Sequence, residues 1–84
     1  MADTDVAERV KKVVVQVLKC DESKVIPEAH FVRDLGAESI QSIELVAAFE
    51  EEFEIEMDPD EALSVSTVGG AVDFIANVIK DQHG

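Results

Sequence analysis

A chain of 84 residues can form one domain, burying roughly 60–65 % of the surface that its unfolded form exposes. Its net charge of −12, from 19 acids against seven bases, repels phosphate backbones and anionic lipid and argues against nucleic acid as a ligand. One cysteine, Cys20, rules out an internal disulfide. With no early segment that combines a basic start, a long apolar run and a small-residue cleavage site, the chain is expected in a reducing compartment, the cytoplasm. The apolar runs are a few residues long, far below the roughly 20 that cross a bilayer, so no membrane span is expected.

The first helix is read over residues 3–19, because Val6, Val10, Val13, Val14, Val17 and Leu18 recur at the spacing of one apolar stripe. From 20 to 38 the periodicity stops, Pro27 and Gly36 punctuate the run, and Val25, Ile26, Phe31, Val32 and Leu35 are scattered anchors for a long loop. A second helix follows over about 39–53. In "DPDEAL", Asp58 as cap, Pro59 at the first position and early acids predict a short helix over about 59–63. Ser66 or Thr67 then caps a last helix over about 67–80, with Val68, Ala71, Val72, Ile75, Val78 and Ile79 as its stripe. Gly69 and Gly70 each cost about 1 kcal/mol in a helix interior relative to alanine, so this helix is expected to start loosely. No alternation long enough to build a sheet occurs. The expectation is a single all-α domain over 1–84: a small four-helix bundle of three main helices and one short one, with a long loop between the first two.

Charge is unevenly placed. Residues 1–33 hold six bases and six acids, whereas residues 34–84 hold thirteen acids against Lys80 alone. Within that acidic part, Leu45, Val46, Phe49 and Phe53 fall in an arc of about 100° on the second helix, an ordinary core stripe. Ile40, Ile43 and Ala47 make a second stripe on another side, with Glu44, Glu50, Glu51 and Glu54 around it. Buried, that stripe would drag glutamates inside at several kcal/mol each. Exposed, it is a contact patch. The alternative is a broad core face with glutamates snorkelling at its margin.

Ser39, between the glycine turn of "DLGAES" and this helix, has three readings. It is a helix N-cap, which stabilises by about 1 kcal/mol. It is a nucleophile, which requires a base and an oxyanion site, while the chain offers only His30 in the loop and His83 in the tail and no Gly-x-Ser-x-Gly elbow. Or it is an attachment point, an exposed hydroxyl at a helix N-terminus whose dipole and free N–H groups favour an added phosphate. Cys20 reads as a small semi-buried residue. The acids Glu54, Glu56, Asp58, Asp60 and Glu61 lack the glycine and spaced ligands of a calcium loop, so no metal site is expected.

The segments "ERVKKVV", "FVRDLGAES", "IELVAAFEEEFEIEM" and "STVGGAVDFI" resemble acyl carrier proteins of the bacterial, stand-alone type, from about Glu8 to Ile79. The resemblance implies a four-helix bundle with a long first loop. It also implies 4′-phosphopantetheine, donated by coenzyme A, joined through a phosphodiester to the serine of an Asp-Ser-Leu triplet, here Ser39. It puts Glu38, Glu44, Glu50 and Glu51 where the family meets basic patches on its enzymes, and Ile40, Ile43 and Ala47 where its apolar contacts lie. The sequence departs from the family's pattern in having Glu38-Ser39-Ile40 for the triplet and Gln41 for a usual acid.

The resulting expectation is a monomeric carrier, not an enzyme. It would hold acyl intermediates as thioesters and deliver them to enzymes of fatty acid or related lipid biosynthesis. Its partners would be a holo-protein synthase or other phosphopantetheinyl transferase, and fatty acid synthesis and acyltransferase enzymes with basic patches. One alternative is a specialised carrier for a polyketide, peptide or other acyl or aminoacyl pathway. Another, of a different class, is an acidic helical interaction module without a prosthetic group.

Overall fold

Four helices form in the order α1 (Ala2–Leu18), α2 (Ser39–Phe53), α3 (Pro59–Ser64) and α4 (Val68–His83), in a computed structural model that describes residues 2–83. Residues 1 and 84 of the expected domain lie outside the described residues. The valine stripe of α1 turns inward: Val6, Val10, Val13 and Val14 are buried, with Val10 and Val14 fully so, while Val17 and Leu18 are half-buried near the end of the helix. Lys19 takes a left-handed conformation (φ 53°) and its N–H bonds the Val15 carbonyl at 2.8 Å, which ends the helix one residue before the expected bound. Helix α1 packs along both α2 and α4, and Ile75 of α4 joins Val10 and Val14 at the centre of the core. One clasp closes this arrangement from outside. Arg9 pairs with the Glu52 carboxylate at 2.8 Å, donates to the Glu52 carbonyl and lies 4.5 Å from the centroid of the Phe53 ring.

The segment between α1 and α2 is more ordered than a plain loop. It holds a 3₁₀ turn, Glu22–Lys24, capped by the Asp21 side chain at Ser23 N, and it buries Val25, Ala29, Phe31 and Ala37. Leu35 is half-buried, whereas Ile26 and Val32, read as anchors from the sequence, are exposed. Beyond α2, Glu54 adopts a left-handed conformation (φ 55°), and Ile55 and Met57 point inward on either side of the exposed Glu56. Asp58 then caps α3 through Asp60 N at 2.9 Å, with Pro59 at the first helical position.

Two expectations for α4 are corrected. Its start is pinned rather than loose: Phe31 N–H bonds the Ser66 carbonyl at 3.0 Å, Val68 N–H the Ala29 carbonyl at 3.0 Å and Gly69 N–H the Pro27 carbonyl at 2.9 Å. Thr67 supplies the cap, its hydroxyl accepting from Gly70 N at 3.1 Å. The far end runs on to His83 instead of stopping near 80. Gln82 exchanges two hydrogen bonds with the Glu56 backbone, 2.9 and 2.7 Å, and His83 Nε2 lies 2.8 Å from the Glu54 carbonyl, which ties down the last turn.

Candidate functional site

The backbone just ahead of Ser39 is held in a closed turn. The His30 carbonyl accepts from Asp34 N at 2.9 Å and Leu35 N at 3.1 Å, and the Asp34 carboxylate accepts from His30 N at 2.8 Å. Gly36 turns the chain with a φ of 70°, a conformation that glycine adopts without a Cβ penalty. Ala37 N–H then bonds the Phe31 carbonyl at 2.8 Å, and the burial of both residues fixes the turn to the core. The chain leaves this turn directly into α2.

The cap of α2 is Glu38, not Ser39. The Glu38 carbonyl accepts the first helical bond, from Ser42 N at 2.9 Å, and the Glu38 N–H is taken by the Gln41 side chain at 2.9 Å. Gln41, a departure from the acid usual there, thus reaches back across the first turn as a capping residue. A Glu at the cap position with Gln three residues on is not the usual capping-box signature, which is why the sequence did not reveal it. Ser39 occupies the first helical position, exposed, and its hydroxyl makes no hydrogen bond among the described residues. The first turn of α2 carries no acid. Its leading N–H groups, Ser39 and Ile40, have no acceptor within the helix, so the N-terminal end of the dipole faces an exposed hydroxyl.

Along α2 the two stripes separate. Leu45, Phe49 and Phe53 are buried and Val46 is half-buried, whereas Ile40 is 64 % exposed, Ile43 is 59 % exposed and Ala47 is exposed. Glu38, Glu44 and Glu51 are exposed as well. Glu50 differs from them. It is half-buried, and its carboxylate accepts from Met57 N at 2.9 Å, so it braces the turn after α2.

A cavity of about 240 Å³ lies between α2, α3, α4 and the turn at 30–33. Its walls are mainly Leu45, Val46, Phe49, Met57, Leu63, Phe74 and Ile75, and Val32, Arg33 and Ser42 also line it. Ser42 stands three residues after Ser39, on the same side of the helix. Helix α4 lines this cavity with Ala71, Phe74 and Ile75, whereas α1 contributes no residue to it. The α1 valines are too tightly buried against α2 and α4 to leave space. The short α3 leaves it instead, since none of its residues is buried.

His30 is half-buried on the cavity wall, Cys20 is half-buried after α1, and His83 sits at the far end of α4. No three His, Cys, Asp or Glu side chains among the described residues converge to hold a metal ion, and no helix there is long and apolar enough to cross a membrane. A phosphodiester-linked prosthetic arm fits the serine site. The hydroxyl is open, and the N–H groups of Ser39 and Ile40 have no acceptor within the helix. Residues 8–75 match a family model described as a phosphopantetheine attachment site, where 4′-phosphopantetheine is joined covalently.

Proposed function

From the premise that the chain belongs to the phosphopantetheine attachment site family, which comprises carriers of acyl and related groups modified by phosphopantetheinyl transferases, we propose that Ser39 bears the arm and that the cargo is a fatty acyl chain. The observation that carries this reading is the pairing of an exposed serine at the start of α2 with an apolar cavity lined from Ser42 onward on the same helix. The arm supplies a thiol that holds the acyl group as a thioester. The chain's own residues do the rest. Glu38 and Gln41 hold the first turn of α2 in shape, the N–H groups of Ser39 and Ile40 favour the phosphodiester, and Leu45, Phe49, Phe74 and Ile75 shelter an alkyl tail from water.

Bond-making on the cargo belongs to partner enzymes. Glu44 and Glu51 would draw basic partner surfaces toward α2, and Ile40, Ile43 and Ala47 would supply the apolar contact. Glu38 flanks the serine and would be read by the transferase. Glu50 plays a smaller part in docking than Glu44 and Glu51, because Met57 already occupies its carboxylate. The test is to incubate the protein with coenzyme A and a broad-specificity phosphopantetheinyl transferase and measure intact mass. A gain of one phosphopantetheinyl group in the natural chain and none in Ser39→Ala is expected. An equal gain in both would assign the arm elsewhere, and no gain in either would leave an acidic interaction module.

A further inference from the structure

Arg33 is the only lysine or arginine between Lys24 and Lys80. It is exposed, lines the cavity together with Ser42, and pairs with no carboxylate among the described residues. The acid beside it in sequence, Asp34, turns its carboxylate to His30 N at 2.8 Å and forms no ion pair with it. The fold therefore leaves one uncommitted cation on the lining of an apolar cavity, in a stretch, residues 25–79, that holds no other lysine or arginine.

An arm that starts at Ser39 and sends its cargo into the cavity passes Ser42 and the lining that Arg33 shares. Its phosphodiester is a permanent anion attached within a stretch, residues 34–84, that carries thirteen acids against one base. We propose that Arg33 holds this phosphodiester and lays the arm toward the cavity, favouring sheltered cargo over extended cargo. Arg33 is thus a positioning residue; the proposal rests on Ser39 bearing the arm.

The natural chain, Arg33→Gln and Arg33→Lys are each converted to the octanoyl-loaded form, with intact mass confirming the arm first, so that failure of attachment is seen separately. Conversion of the apo protein to the phosphopantetheinylated form should move the Arg33 Nε–Hε NMR resonance and leave that of Arg9, held by Glu52, in place. Cleavage of the octanoyl thioester by hydroxylamine should be faster in Arg33→Gln by roughly two- to fivefold, the span of exposed ion pairs, and less so in Arg33→Lys. Added salt should bring the natural chain toward the Arg33→Gln rate. An Arg33 resonance that does not move, or equal cleavage rates, would overturn the proposal. So would a lower melting temperature in Arg33→Gln, which would trace the effect to the fold.

Discussion

Gly69 lies directly against Pro27. Its N–H donates to the Pro27 carbonyl at 2.9 Å, and a Cβ on Gly69 would come within 3.1 Å of the same oxygen. That oxygen belongs to backbone tied into the loop that leads to Ser39, so it cannot swing away as a side-chain tip would. Gly69→Ala should therefore cost about 1–3 kcal/mol despite alanine's better helix propensity. A Cβ on Gly70 would meet only the side chains of Thr67 and Val65, at 3.2 and 3.3 Å. Gly70→Ala should melt nearer the natural protein; thermal melts of the two variants make the comparison, and Gly69→Ala melting at or above Gly70→Ala would contradict it.

The two stripes of α2 should respond differently to substitution. Leu45→Ala or Phe49→Ala removes buried volume and should destabilise the bundle by roughly 2–5 kcal/mol with or without a partner. Ile43→Ser alters an exposed side chain, so it should leave the melt within about 0.5 kcal/mol while speeding dissociation from a partner enzyme. Melts and surface-binding kinetics on the same proteins decide the matter. If Ile43→Ser dissociates at the natural rate, the docking face lies elsewhere.

A loaded acyl chain should stabilise the fold over the unacylated holo form. The cavity of about 240 Å³ is larger than the roughly 150 Å³ engineered cavity known to hold benzene, and each methylene buried in it contributes up to about 0.8 kcal/mol. Melting temperatures across butyryl, octanoyl and palmitoyl forms should rise and then level off once the space is filled. Equal values for all forms, loaded or not, would mean that the tail stays in water.

Salt should also stabilise the protein. Thirteen acids against one base over residues 34–84 repel one another more in the folded chain than in the expanded one, and the only ion pair among the described residues is Arg9–Glu52. The melting temperature should climb between low and moderate ionic strength, and further with millimolar magnesium. A flat or falling curve would refute the self-repulsion argument.

Much of this was readable from residue order because helical periodicity and caps act locally. The valine stripe of α1, the Asp58-Pro59 start of α3 and the division of α2 into two faces all follow from spacing along one helix. What was not readable depends on groups far apart in sequence. Gly69 looks like a helix weakener until Pro27 is brought against it. Glu50 looks like its neighbours until the chain turns back to present Met57 N. The cavity was not readable, since periodicity tells which side chains face inward but not where a short α3 fails to fill the space between longer elements. The start of α2 at Ser39 was readable, but its cap was not, because the cap is a glutamate, which rarely serves as one.

The pairing of loop and helix across the molecule also sets an order of events during synthesis. The turn that presents Ser39 is fastened to residues 66–69 by backbone bonds from Pro27, Ala29 and Phe31, partners that leave the ribosome some 30 residues after the serine does. A nascent chain that has exposed Ser39 but not yet Gly69 lacks those fastenings, and its turn has only local bonds to hold it. If Ser39 bears the arm as proposed, a modifying enzyme that reads the shape of this turn would engage chains whose last helix has already docked, and modification would mark a completed fold.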